Sequence, residues 1–66
     1  MSEIPKACAA RIMKGTGAER ISSDSVDTFI EALEDYGEEI ASKATKYAQH
    51  ANRKTVQVSD IKLALR

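Results

Sequence analysis

The chain has 66 residues, with ten Lys or Arg balanced by ten Asp or Glu, so we expect one domain that buries only about 60 % of its unfolded surface and needs a partner chain. One cysteine and one histidine exclude an internal disulfide and a His/Cys metal site, and no apolar run approaches the roughly 20 residues of a membrane span. The sequence therefore predicts a soluble cytoplasmic protein without cofactor or metal.

The first predicted helix covers about residues 4–14. Apolar residues recur every four positions, at Ile4, Cys8 and Ile12. Pro5 suits a first helical turn, and glycines follow the last periodic position. We expect Cys8 to be a buried small hydrophobe. The segment KGTG at 14–17 reads as a helix end with a flexible turn, because a Walker loop has its lysine after the glycines.

A long helix is predicted next. TGAERIS reads as a loop with Ser22 or Ser23 as N-cap, and Asp24 places negative charge at the helix N-terminus. One helix of about seven turns is predicted by apolar or small residues at three- and four-residue spacing, namely Val26, Phe29, Ile30, Leu33, Tyr36, Gly37, Ile40, Ala44, Tyr47, Ala48 and Ala51. Such a helix is longer than a domain of this size is wide, so a second long helix must cover part of its apolar stripe.

Acidic residues occupy the opposite side of the long helix. Net charge is +2 over residues 1–23, −7 over 24–39 and +5 over 40–66. Successive residues of a helix are rotated by about 100° around its axis. On this basis seven acidic residues lie about 100° or more around the axis from the centre of the apolar stripe, namely Asp24, Asp27, Glu31, Glu34, Asp35, Glu38 and Glu39. They form either a solvated face or a docking surface for a basic partner or tail. The separated bases can still attract phosphate.

Gly37 lies near the middle of this helix on its apolar side, where glycine costs about 1 kcal/mol relative to alanine. Close approach of a partner backbone would offset that cost. We therefore expect two long helices to cross in antiparallel fashion near Gly37. The expected dimer core is Phe29, Leu33, Gly37, Ile40 and Ala44.

The C-terminal third of the sequence predicts the end of the long helix, then a loop and a short helix. Asn52 follows the last stripe residue and tolerates the left-handed conformation that ends helices. TVQV at 55–58 can form a very short strand, and Ser59 is the expected N-cap of the last helix. The apolar face of that helix is expected to be Ile61, Ala64 and Leu65. Leu63 lies off this face, which suits either a contact with another chain or ordinary surface exposure.

This order resembles the histone fold, and more closely the small archaeal histones, over essentially the whole chain. The resemblance rests on RIMKGTGAERIS at 11–22, EEIASKATKYAQHANRKT at 38–55 and VSDIKLALR at 58–66. It implies a single all-α histone-fold domain over residues 1–66, in an obligate handshake homodimer whose loops pair through short parallel strands. It also implies a chromosome- or nucleoid-associated protein that binds double-stranded DNA along the outer arc of the dimer without a base-specific code.

The resemblance also implies roles for individual residues. The DNA-binding residues would be Arg11, Lys14, Arg20, Ser22, Lys54 and Thr55, with Arg20 entering the minor groove. Arg53 and Asp60 match an ion pair that braces the second loop. Dimers would join into tetramers or longer stacks through Tyr47, His50, Asp60 and Leu63.

The chain departs from the family in charge. Archaeal histones are usually more basic. A base is common at one of the two positions that are Glu38 and Glu39 here, and bases often occur where this chain has the uncharged Gln49 and Gln57. We therefore expect weak, strongly salt-sensitive DNA binding. The alternative is a histone-fold protein-interaction module, either a heterodimer subunit that pairs with another histone paralogue or a capping histone. No set of residues suited to catalysis is present, so we do not expect an enzyme.

Overall fold

The computed structural model describes residues 3–66. They form three helices, α1 (Lys6–Gly15), α2 (Ser23–His50) and α3 (Val58–Ala64). The chain divides into two compact units, one ending at Asp35 and the other beginning at Tyr36, and α2 contributes to both. None of the helices in the described part of the chain is long and apolar enough to cross a membrane. The predicted all-α order of short, long and short helices is confirmed.

The first unit packs α1 against the first half of α2 through a small residue. Ala9 is fully buried with Val26 and Ile30, and the residues packed around them are Ile4, Ala10, Met13, Ile21 and Phe29. The predicted placement of Ile12 on the packed face is wrong, since Ile12 is 53 % exposed. A small residue at the contact lets two helix axes approach closely, so Ala9 takes this place.

Two other expectations for α1 also need correction. The helix begins at Lys6, two residues later than predicted, because Pro5 is its N-cap and accepts the first backbone hydrogen bonds. Cys8 is half-buried and not fully buried. Its Sγ accepts a hydrogen bond from Arg11 Nη2 at 3.2 Å.

The start of α2 is held by serine hydroxyls. Ser22 Oγ accepts a hydrogen bond from the Ser25 N–H at 3.1 Å, so Ser22 is the N-cap, one of the two predicted candidates. Lys6 of α1 donates from Nζ to Ser23 Oγ at 2.6 Å and lies 3.2 Å from the Asp27 carboxylate. These contacts tie α1 to the first turns of α2.

Asn52 ends α2 as predicted, with a φ of +59°. The N–H of Arg53 donates to the Ala48 carbonyl and the N–H of Asn52 donates to the Gln49 carbonyl, each at 2.9 Å. This is the Schellman pattern, in which a left-handed residue satisfies the last helical carbonyls.

The left-handed conformation of Asn52 makes a prediction for stability. The left-handed region costs most non-glycine residues roughly 1–2 kcal/mol, whereas glycine and asparagine adopt it readily. Asn52→Ala is therefore expected to lower the free energy of unfolding by about 1 kcal/mol, and Asn52→Gly to leave it nearly unchanged. Urea titrations at one fixed chain concentration compare the three proteins. Equal losses in the alanine and glycine variants would contradict this explanation.

In the second unit, α3 begins earlier than predicted. Gln57 is the N-cap, and its N–H donates to the Asp60 carboxylate at 2.8 Å in a capping box. The predicted N-cap at Ser59 is therefore wrong. Residues 3–66 of this single chain contain no strand, and Val58 of the predicted TVQV strand belongs to α3.

The buried residues of the second unit are small, apart from one carboxylate. They are Ala44, Ala48, Asp60 and Ala64. Ala64 lies inside as predicted, but Ile61 and Leu65 are 37 % and 53 % exposed. Asp60 must lie inside to bond the Gln57 N–H and Arg53, and that requirement turns Ile61 and Leu65 outward.

Candidate nucleic-acid interface

The residues predicted to bind DNA are all exposed. In the first unit, Arg11 and Lys14 lie on α1, and Arg20 and Ser22 lie in the loop between α1 and α2. In the second unit, Lys54 and Thr55 lie in the loop between α2 and α3. Because these side chains already lie on the surface, they can contact phosphate oxygens without a rearrangement of the fold.

The candidate bases of the first unit carry no counter-ion. Arg11, Lys14 and Arg20 have no acidic group within 4.0 Å among residues 3–66, whereas Lys6 is paired with Asp27. Ser22 differs from them, because its hydroxyl is already bonded to Ser25. Arg11, Lys14 and Arg20 are therefore exposed cations without a counter-ion in the described chain, although Arg11 also donates to Cys8 Sγ.

The loop of the second unit is fixed by a two-bond ion pair. Arg53 Nη1 lies 2.8 Å from Asp60 Oδ2, and Arg53 Nη2 lies 2.9 Å from Asp60 Oδ1. Arg53 Nη1 also donates to the Thr55 carbonyl at 3.2 Å. Planar, two-bond pairs of this type combine charge with fixed geometry. The backbone that carries Lys54 and Thr55 is thus held on both sides, and Lys54 itself has no acidic partner in the described chain.

The same ion pair shifts the pKa of both Arg53 and Asp60. The hydrogen bonds from Arg53, the hydrogen bond from the Gln57 N–H and the charge of Arg53 together lower the pKa of Asp60 from 3.8 to about 2, against the opposing effect of burial. The hydrogen bond to Asp60 also raises the pKa of Arg53. Asp60 is therefore ionised throughout the physiological pH range.

Three of the four residues predicted to join dimers are exposed. Tyr47 and His50 lie at the end of α2, and Leu63 lies on α3. Asp60 is 4 % exposed, and both of its carboxylate oxygens are bonded within the chain.

The predicted dimer core is partly uncovered within one chain. Phe29, Leu33 and Ile40 are half-buried, whereas Ala44 is already fully buried in its own unit. Gly37 is exposed, and a Cβ built on it would meet nothing within 4 Å. The neighbouring Tyr36 is 59 % exposed. The middle of the apolar stripe therefore faces open space.

A second uncovered apolar face lies on α3, and one of its members, Val58, was missed in the sequence. Val58 is 71 % exposed, and with Ile61 and Leu65 it follows the i, i+3, i+7 spacing of one helical side. We call these three residues the α3 outer face. The spacing of Gln57 and Asp60 was the available signal, because a capping box over those positions starts the helix at Val58.

Comparisons with known proteins place the chain in a family. A family model described as histone-like transcription factor (CBF/NF-Y) and archaeal histone matches residues 2–65. The chain is 44 % identical to an archaeal histone HAN1 subunit from Thermococcus zilligii and 50 % identical to probable archaeal histone 3 of Methanocaldococcus jannaschii, over all of its length and 98 % of each relative. It is also 35 % identical to the major histone H4 of Tetrahymena pyriformis over 96 % of this chain and 61 % of that histone. The chain therefore belongs to the histone-fold family of CBF/NF-Y-type transcription factors and archaeal histones.

Proposed function

We propose that this protein is an archaeal-type histone that packages double-stranded DNA as a homodimer, without reading base sequence and without catalysis. The observation that carries the proposal is the set of exposed bases without an ion-pair partner on α1 and in the two loops, in a member of a histone family. Such bases would hold the protein on the nucleoid through phosphate contacts.

The exposed area of the chain supports the dimer. One chain exposes 5406 Å², whereas a folded monomer of 7.2 kDa is expected to expose about 4,100 Å². The excess of about 1,300 Å² is close to one partner's share of an obligate dimer interface. A second copy of the chain would bury this excess surface.

Each unit supplies part of the proposed dimer interface. The middle of α2 would contribute Phe29, Leu33, Gly37 and Ile40, and the α3 outer face would add its three apolar side chains. Ala44 would support this interface from inside its own chain, because it has no exposed surface left to bury.

The proposed DNA contacts divide between two chemical roles. Arg20 would enter the minor groove, and the contacts with phosphate would come from Arg11, Lys14, Lys54 and Thr55. Ser22 would act next to Arg20 by fixing the start of α2, since its hydroxyl is bonded to Ser25.

Dimers would assemble further through Tyr47, His50 and Leu63, giving tetramers or longer stacks on DNA. Asp60 would contribute indirectly, by holding Arg53 and the start of α3 in place. This arrangement leaves the three exposed side chains as the direct contacts between dimers.

A DNA-binding titration tests the proposed function. Each base that neutralises a phosphate contributes about one unit to the slope of log K against log salt, and the proposed homodimer carries Arg20 twice, so Arg20→Ala is expected to weaken binding at least about tenfold at about 50 mM salt and to reduce the slope by about two. Fluorescence anisotropy with a short duplex measures both quantities.

Lys46→Ala is the matched control, because Lys46 is an exposed base of α2 outside the proposed interface and has no acidic partner in residues 3–66. Its titration should coincide with that of the wild type. Equal effects of the two substitutions would contradict the assignment of Arg20.

A second candidate function is a protein-interaction module with little DNA binding of its own. The uncompensated carboxylates of α2, which include Glu31, Asp35 and Glu38, favour it over a general histone role because negative charge opposes DNA. Absence of wild-type binding to duplex DNA even at about 20 mM salt would select this candidate.

A further inference from the structure

A base at the start of α1 lies against the start of α2. Lys6 Nζ donates a hydrogen bond to Ser23 Oγ at 2.6 Å and lies 3.2 Å from Asp27 Oδ1. Lys6 is the first residue of α1, and Ser23 is the first residue of α2. The DNA contacts proposed above do not include this base.

The ammonium of Lys6 lies close to the loop between α1 and α2. Ser23 directly follows Ser22 in the chain, and consecutive Cα atoms are about 3.8 Å apart. An ammonium that contacts the Ser23 hydroxyl is therefore no more than about 9 Å from the Ser22 Cα. Charges are screened over about 10 Å at 0.1 M salt. A phosphate bound at this end of the loop would thus lie within the range of the Lys6 charge.

The ion pair leaves Lys6 able to bind another anion. An ammonium has three N–H donors, of which Ser23 and Asp27 occupy at most two, and Lys6 has no further acceptor among residues 3–66. Both side chains of the ion pair are exposed over about half of their surface. Exposed ion pairs contribute little to stability, so the closely spaced phosphates of DNA can compete with the carboxylate for this base.

We propose that Lys6 is a further phosphate-binding base of the candidate nucleic-acid interface, and that Asp27 competes with DNA for it. In the unbound protein, the Asp27 carboxylate neutralises the ammonium. On DNA, a phosphate oxygen takes the place of that carboxylate. An acid that does not contact DNA therefore lowers the affinity for DNA. The inference rests on the proposed DNA binding and adds one contact and one internal competitor to it.

Lys6→Gln tests the contact with phosphate. The amide of glutamine can still donate a hydrogen bond, but the charge is removed. Because the proposed homodimer carries Lys6 twice, the slope of log K against log salt is expected to fall by about two. Lys6→Arg keeps the charge and should keep the slope. Fluorescence anisotropy with a short duplex measures the slope, and circular dichroism checks that each variant is folded.

Asp27→Asn tests the competition and should act in the opposite direction. Binding at about 50 mM salt is expected to become at least about threefold tighter, because phosphate no longer competes with the carboxylate. Asp24→Asn is the matched control, since Asp24 is an exposed acid three residues earlier with no cation within 4.0 Å among residues 3–66. It should strengthen binding less than Asp27→Asn does. Combined with Lys6→Gln, Asp27→Asn should have no larger effect than this control.

The direction of these effects separates a DNA contact from a purely structural ion pair. Weaker binding in both Lys6→Gln and Asp27→Asn would show that the pair only fixes α1 against α2, and would overturn the proposal. An unchanged salt slope in Lys6→Gln would also overturn it and leave the proposed DNA packaging standing. Failure of the wild type to bind duplex DNA even at about 20 mM salt would overturn the proposed function, and this inference with it.

Discussion

Asp60→Asn is expected to lower the melting temperature at neutral pH by on the order of 10 °C at fixed chain concentration. The substitution keeps the size of the side chain but removes its charge, so the buried site loses its ion pair with Arg53. The cap of α3 depends on the same carboxylate, through the Gln57 N–H. Circular dichroism melts measure the effect. Glu31→Gln is the control, because it removes an exposed carboxylate with no cation nearby and should not lower the melting temperature.

The pH dependence of this effect has a definite sign. Folding lowers the pKa of Asp60 to about 2 from 3.8, so the stability that the carboxylate supplies is present above the unfolded pKa and is lost as pH falls through the folded one. The difference in melting temperature between wild type and Asp60→Asn should be full at pH 5 and above. It should shrink as pH falls from about 4 to about 2. A constant difference over that range would show that the charge of Asp60 is not the cause.

Ile61→Asp is expected to raise the dissociation constant of the dimer at least about a hundredfold, because the proposed interface would have to bury a charge. Ile61 belongs to the α3 outer face. Sedimentation equilibrium over a range of chain concentrations measures the dissociation constant. If the isolated chain does not fold, loss of the dimer in sedimentation is accompanied by loss of the helical circular dichroism signal.

Leu63→Asp is the matched control for Ile61→Asp. Leu63 is 40 % exposed, close to the 37 % of Ile61, but two residues apart on a helix the two side chains point in directions about 160° apart. The dimer should therefore survive Leu63→Asp, and only tetramers or longer stacks on DNA should be lost. Equal loss of the dimer in both variants would contradict the assignment of the two sides of α3.

The sequence predicted the helices better than it predicted which side of each short helix is packed. The long helix followed from regular spacing over many turns, and its exit followed from Asn52. In the short helices, two or three apolar residues are too few to define which face of the helix is packed. Ile12 and Ala9 are both apolar positions of α1, and only the closeness of α1 to α2 decides that the smaller residue lies inside.

The start of α3 was mispredicted because one buried carboxylate outweighs local preference. Ser59 is a good N-cap by residue type. In the structure, however, the Asp60 carboxylate accepts hydrogen bonds from both Arg53 and the Gln57 N–H, and this arrangement goes with a helix that begins at Val58. That long-range requirement then turned Ile61 and Leu65 outward. The exposed bases of the candidate interface were simpler to place, because surface loops do not depend on such choices.

The bonds that hold the loop between α2 and α3 also determine how it carries mechanical load. A phosphate that pulls on Lys54 pulls on a backbone tied to α2 by the turn at Asn52 and to Asp60 of α3 by Arg53. In the proposed complex, force on the DNA would therefore be shared by two helices and would not stretch an unsupported segment. Under tension, the DNA is expected to leave by rupture of its contacts while the loop keeps its shape.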